Sequence, residues 1–224
     1  MLTRRRMIIL SAGAAGIAAC DSLREPNVAL YVLHDVSGSY FRELPRNLAQ
    51  IPALTATLRA GDYVAFARID SCSFSNDAIV IPGQRISDVP SRRVTQLLAL
   101  NRALQAYGKS ARRTEHTDIR GALLQAVQQL QAVKAARRQI VIFSDLDDDL
   151  PPECRRDARL VPDLRQIDVF AVNVIKLPED NRDPQRYFSR LATWKRLVET
   201  GGGTWTVAPD VAAVADQLRT RLTA

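Results

Sequence analysis

The chain has 224 residues, 46% hydrophobic and 25% charged, a composition that excludes a disordered, collagenous or disulfide-dense protein and suits one globular domain plus a leader. The formal charge is +7. Without Arg4, Arg5 and Arg6, which belong to that leader, 28 basic residues stand against 24 acidic ones; a net of +4 is too mild for a nucleic-acid footprint.

Arg4-Arg5-Arg6 opens the leader, Met7 to Ala19 is a short apolar run, and Ala18-Ala19-Cys20 closes it with small residues. Thirteen apolar or small residues are too few to span a bilayer, so residues 1–19 read as a signal peptide rather than a membrane helix. Ile17-Ala18-Ala19-Cys20 resembles the lipobox of bacterial lipoproteins. The resemblance implies lipidation of Cys20, a mature chain beginning there, and a site in the bacterial envelope. Asp21 resembles a retention signal for the periplasmic face of the inner membrane. Thr3 to Ile8 also resembles a twin-arginine export signal, although any export leader needs positive charge. Residues 20–27 form a short tether: the seven from Asp21 to Asn27 extend at most about 25 Å.

Val28 to Leu33 is an apolar run of the kind that forms a strand buried on both faces. It ends in Asp35, Ser37 and Ser39, with Gly38 allowing a turn. Three oxygen-bearing side chains at alternate positions converge if the backbone curls around a point, and one carboxylate with two hydroxyls suits Mg²⁺. The same residues also suit a solvated turn with a helix cap. His34 points away from Asp35 if the strand alternates, which favours packing over ligation.

Leu44, Leu48, Ile51, Leu54 and Leu58 give helical spacing over 41–58; Pro45 suits a first turn and Pro52 predicts a kink or break. A strand is expected over 62–69, with Asp70 at its end near the site, and a short one over 78–81 stopped by Pro82. Residues 94–107 read as a helix, and Thr117 opens another with Ile119, Leu123, Val127 and Leu130 on one face. His116, beside Thr117, reads as a rim or exposed loop residue. A strand over 139–145 ends in Asp145, and Asp147, Asp148 and Asp149 read as a solvated acidic loop. Further elements are a strand over 168–175, a helix carrying Tyr187, Leu191, Trp194 and Val198, a strand over 204–207 and a helix capped by Asp210. Cys72 and Cys154 follow strands, at the same end of the sheet; they suit either a disulfide or two separate thiols.

Alternating strands and helices predict an α/β fold: a doubly wound, mainly parallel central sheet with helices on both faces. Ligands of such sheets bind beyond the carboxyl ends of the strands, where Asp35 and Asp145 fall.

With these stretches assembled, the sequence resembles the von Willebrand factor A (VWA) domain family, whose metal-ion-dependent adhesion site joins Asp-x-Ser-x-Ser after the first strand, a later helix-opening Thr, and an Asp after the fourth strand. Carried over, these are Asp35, Ser37, Ser39, Thr117 and Asp145, within a VWA domain over 28–224. The resemblance implies bound Mg²⁺ or Mn²⁺ that captures an acidic side chain of a protein partner, and no enzymatic activity. The sequence departs from the family where Leu146 follows the last Asp in place of a common Gly, and where Tyr40 follows the second Ser. Two other readings stand beside this one. A metal-dependent phosphotransferase would use Asp35 as nucleophile, but Ser37 stands where a second acid is needed. A structural lipoprotein would bind no metal. Gly-x-Ser-x-Gly, His-Glu-x-x-His and P-loop patterns are absent.

Overall fold

β-Branched and aromatic runs too short to be helices, each followed by an amphipathic stretch, produce a single sheet in the computed structural model. The structure describes residues 27–154 and 160–220; the signal segment 1–19, Cys20 and the tether up to Pro26 lie outside the described residues. The strands are β1 (Val28–Asp35), β2 (Tyr63–Ile69), β3 (Ile79–Arg85), β4 (Arg137–Phe143), β5 (Ile167–Val172) and β6 (Thr204–Ala208), in the order β3-β2-β1-β4-β5-β6. All pair in parallel except the antiparallel β2–β3 edge. The helices are α1 (Leu44–Thr55), α2 (Pro90–Ser110), α3 (Ile119–Gln131), α4 (Pro184–Thr200) and α5 (Val211–Thr220).

Strand alternation sends successive side chains of β1 into two separate cores. Leu30 and Val32 pack with Ile51 and Leu54 of α1, Leu100 and Leu104 of α2, and Val211 and Val214 of α5. Tyr31 and Leu33 pack with Ile119 and Leu123 of α3 and Trp194 and Val198 of α4. Every residue of β1 is buried, which is why it reads as a continuous apolar run. Burial of each Leu or Val side chain contributes about 1.5–3 kcal/mol. Truncating Leu33, fully buried at the centre of the sheet, would cost about 2–5 kcal/mol through lost burial and the cavity left behind.

Several boundaries differ from those expected. β3 runs through Pro82 instead of stopping there: Val64 pairs with Gln84 and Phe66 with Ile81, so Pro82 and Gly83 together oppose one residue in a bulge on an edge strand. An edge bulge is where a missing N–H does little harm. The helix expected over 41–58 is a 3₁₀ turn at Phe41–Glu43 followed by α1, which continues through Pro52 and ends one turn later, at Thr55. Pro52 sits so near the end that the lost ladder bond shortens the helix without breaking it earlier. α2 starts at Pro90, a residue pre-shaped for the first helical position, and extends to Ser110. β5 ends at Val172 rather than at 175, because Asn173 turns the backbone into the left-handed region (φ 53°).

Candidate metal centre

β1 and β4 are neighbours whose connections leave in opposite directions along the sheet, and the crevice between their carboxyl ends is the topological switch point. The register sets His34 opposite Phe143, so Asp35 and Ser144 meet just beyond it. Ser144 Oγ donates to Asp35 Oδ2 at 2.6 Å, and the Ser37 N–H donates to Asp35 Oδ1 at 2.7 Å, curling the chain back over the strand end. Ser39 Oγ donates to Asp145 Oδ2 at 2.5 Å. The motif residues after β1 and β4 are therefore in one cluster: Asp35 and Asp145 are fully buried, Ser37 nearly so, and Ser39 lies on the surface above them.

Thr117 reaches this end through a loop stitched on both sides. The Thr114 N–H donates to Val36 O at 3.0 Å, and Thr117 and Asp149 exchange backbone hydrogen bonds at 2.9 Å each way. Asp118 then caps α3: its Oδ1 accepts from the Gly121 N–H at 2.7 Å, and its Oδ2 from the Ser73 N–H at 2.8 Å. The Asp118 N–H donates to Asp70 O, which ties the start of α3 to the end of β2. Cys72 and Cys154 are disulfide-bonded with their Cα atoms 5.7 Å apart, joining the loop after β2 to the loop after β4 behind Thr117.

The acidic run 147–149 is not simply a solvated loop. Asp147 is exposed, but Asp148 Oδ1 accepts from the Ile119 N–H at 2.8 Å, adding a second carboxylate to the start of α3. Asp149 pairs with His116 Nδ1 at 2.9 Å. His34 lies in the core between the rings of Tyr40 and Phe143, its Nε2 3.4 Å from Asn47 Nδ2, and burial pushes its pKa down to about 3, so it is neutral at physiological pH.

The two departures from the family pattern each have a structural consequence. Leu146 takes the left-handed conformation (φ 65°) that favours glycine, yet it is 1% exposed within the core beneath α3 and α4. Its N–H is held by Ser144 Oγ and its carbonyl by Trp194 Nε1, both at 2.9 Å. Tyr40 is fully buried and donates to Asn173 O at 2.9 Å, fastening the serine loop to the end of β5.

Burial raises the Asp35 carboxyl to about 7; the nearby Asp145 charge adds to this, while hydrogen bonds from Ser144 and the Ser37 N–H pull the other way. Burial likewise raises Asp145. Two desolvated carboxylates facing each other are costly without a cation. Ser37 Oγ, also buried, makes no hydrogen bond of good geometry, although it lies near enough to Asp35 to help lower its carboxyl. Such a hydroxyl beside two carboxylates, with only oxygen donors around it, is the environment a hard divalent cation satisfies. Among the described residues no group of three or more His, Cys, Asp and Glu could hold a metal, so such an ion depends on the hydroxyls of Ser37, Ser39 and Thr117.

Three features had no signal in the sequence. Arg190 donates from Nε to Asp145 O at 2.8 Å while its two terminal nitrogens grip Asp180 at 3.1 and 2.7 Å, and the guanidinium holds that carboxyl below its ordinary range. A Cβ added at Gly38 would come within 2.7 Å of the Arg113 guanidinium, so this exposed cation lies directly over the serine loop. Ser39 and Asp147 open onto a cleft of about 770 Å³ between the serine loop and the start of α4. All three bring together residues far apart in the chain.

No family model and no curated protein matches this sequence. Solved structures match it in fold. A von Willebrand factor type A protein from Catenulispora acidiphila is 17% identical with a TM-score of 0.53, covering 88% of this chain and 42% of its own. An aerotolerance-related membrane protein from Bacteroides fragilis is 15% identical with a TM-score of 0.55, covering 88% and 99%. The pilus adhesin SpaC from Lactobacillus rhamnosus GG is 13% identical with a TM-score of 0.56, covering 88% and 30%. The chain thus spans less than half of the first and third of these proteins and nearly all of the second. The shared architecture is the Rossmann-like VWA fold.

Proposed function

We propose that this VWA-type domain is a metal-dependent protein-capture module, exported and held at the bacterial envelope by a lipidated Cys20. Asp35, Ser37, Ser39, Thr117 and Asp145 would hold one Mg²⁺ or Mn²⁺. When bound, the ion supplies an electrophilic position for an acidic side chain of a partner, because two carboxylates and three hydroxyls leave its charge incompletely neutralised. The observation that carries the reading is the buried Ser37 Oγ, without a well-formed hydrogen bond, next to an Asp35 carboxyl that burial and the nearby Asp145 charge raise.

The remaining residues of the site position this set. Ser144 and the Ser37 N–H orient Asp35, Arg190 holds the Asp145 backbone, and the Thr117–Asp149 bridge sets Thr117 at the rim. Arg113 lies at the mouth as a fixed cation, complementary to an acidic partner. The fold of an adhesin such as SpaC supports an interaction role, and that of a membrane protein from B. fragilis an envelope location. A phosphotransferase reading is disfavoured because Ser37 stands where such an enzyme needs a second acid.

The test is calorimetric titration of the full chain with Mg²⁺ and Mn²⁺, followed by capture from envelope extract with and without chelator. One metal per chain, and a partner released by chelation, would support the reading. A folded protein that binds neither ion overturns it. Acyl mass on a peptide beginning at Cys20 tests the anchor separately.

A further inference from the structure

The end of the sheet opposite the metal cluster is where the chain enters the domain. Asn27 Nδ2 donates to Gly61 O at 3.5 Å and Lys134 O at 3.3 Å, and the Arg85 guanidinium donates to the same two carbonyls at 3.0 and 2.9 Å. Exposed Lys134, Arg59 and Arg85 therefore surround the entry point. Gln96 in the second turn of α2 donates to Arg85 O at 2.7 Å, which brings Arg92 and Arg93 of the first turn to the same place. Two cations there oppose the helix dipole, so the isolated helix does not account for them. Of the acids nearby, Asp62 is turned inward at 5% exposure to accept from the Val28 and Arg59 N–H groups, with the Arg59 cation acting on it, and Asp163 and Asp168 pair with Arg165 and Arg137. Asp88 is exposed. Val89, which precedes Arg92 and Arg93, is 41% exposed.

We infer that this end of the domain rests on anionic phospholipid headgroups, so that the metal cluster points away from the membrane. A cluster of exposed Arg and Lys is complementary to an anionic bilayer surface, where the cations meet phosphate. The length of the upstream chain supports the same occupant. Only seven residues separate Cys20 from β1, a reach of at most about 25 Å, so an acyl anchor at Cys20 brings this end of the sheet to the bilayer rather than the other. The orientation rests on the lipidation reading; the charge complementarity does not.

The experiment is vesicle co-sedimentation of the full chain in chelator, comparing neutral phosphatidylcholine vesicles with vesicles containing about 30% phosphatidylglycerol. Each basic residue at the surface changes affinity about fivefold, so Arg92→Glu with Arg93→Glu should weaken binding to anionic vesicles at least about tenfold. Binding to neutral vesicles should not change, because residues 1–26 are the same in both proteins. Arg186→Glu, in the first turn of α4 at the opposite end, should have no effect. Equal binding by wild type and the double variant, or an equal loss with Arg186→Glu, overturns the proposal. Lys134→Glu replaces the double variant if thermal melting shows that the latter is unfolded. Chelator keeps the outcome independent of metal binding, and acylation of Cys20 is read separately by mass spectrometry.

Discussion

The two ends of one sheet use charge in opposite ways. At the carboxyl ends of the strands, Asp35, Asp118 and Asp145 are fully buried. At the amino ends, Arg59, Arg85, Arg92 and Lys134 are exposed. Asp118 is accounted for by its helix cap; Asp35 accepts only from Ser144 Oγ and the Ser37 N–H, and Asp145 from Ser39 Oγ and the Asp147 N–H, with Arg190 the one cation acting on Asp145 among the described residues. A fold that needed neither carboxylate would be more stable with both replaced by neutral groups, since burying unpaired charge is expensive. On the readings proposed above, the buried acids would serve a small cation and the cluster of exposed bases an extended anionic surface.

The largest expected effect breaks the acidic end. Asp35→Ala removes the carboxylate that both the serine loop and Ser144 organise around, and metal affinity should fall more than about a hundredfold. Ligand binding stabilises by about 2.7 kcal/mol at a hundredfold excess over Kd. Saturating Mg²⁺ should therefore raise the wild-type Tm by about 5–10 °C and leave the variant unmoved in differential scanning calorimetry. Charge reversal at Arg92 and Arg93 should leave that metal response intact, which would separate the two ends functionally.

Next in size is the disulfide. Cys72 and Cys154 are 82 residues apart, and on the chain-entropy model their removal costs about 4.5 kcal/mol. The bond also joins the two loops that grip Thr117, through Ser73 to Asp118 and through Asp149 to Thr117 itself. Cys72→Ser with Cys154→Ser should lower both the denaturation midpoint and the metal affinity. Unchanged affinity at lowered stability would show that Thr117 is positioned by its hydrogen bonds alone.

A pH dependence follows from Asp35. Its carboxyl is raised to about 7 in the folded protein, whereas in the unfolded chain it has an ordinary low value. Between these limits the folded state holds a proton that the unfolded state has released, so metal-free stability falls as pH rises toward about 7 and levels off above it. Metal binding needs the carboxylate, so affinity should rise over the same range, by up to about tenfold per unit, before levelling. Calorimetry at several pH values with and without Mg²⁺ should show opposite slopes.

Arg113→Glu is a smaller perturbation at the same end. Reversing a cation at the mouth should weaken capture of an acidic partner several-fold, mainly through the association rate, and should not weaken metal binding. Loss of metal affinity in this variant would mean that Arg113 shapes the serine loop rather than the entrance.

How much of this was legible depended on the range of each contact. The central strands could be read because a strand buried on both faces writes a continuous apolar run, and the acids at their ends could be read because a charge stops such a run. Val28–Asp35 and Arg137–Phe143 show both marks. Pro82 and Pro52 misled because the harm a proline does depends on whether it lies at an edge or near a helix end, and neither is local information. Arg190 on Asp145, Arg113 over Gly38 and Asp148 on the start of α3 are long-range placements of ordinary surface residue types. In the acidic run 147–149, Asp147 and Asp149 are exposed as a solvated loop requires, while Asp148 is drawn to the start of α3, a difference that three consecutive Asp residues do not show in sequence.

The smallest effect concerns Leu146, which is where the sequence departs from the usual pattern of the family it resembles. A leucine at φ 65° carries a steric cost of about 1–2 kcal/mol that glycine would not. It persists because the side chain, 1% exposed, fills the core beneath α3 and α4, and burial contributes about 1.5–3 kcal/mol. Leu146→Gly should then lower stability, since it gives up more burial than the strain it relieves. Leu146→Ala gives up nearly the same burial and keeps the strain. At an ordinary core position glycine is the worse of the two by about 1 kcal/mol; here the order should invert, with the alanine variant the less stable by about that amount in urea denaturation. If the usual order holds instead, Ser144 Oγ and Trp194 Nε1 do not maintain the left-handed turn once the leucine is gone, and the conformation that carries the chain from Asp145 to Asp148 is set by the leucine's packing.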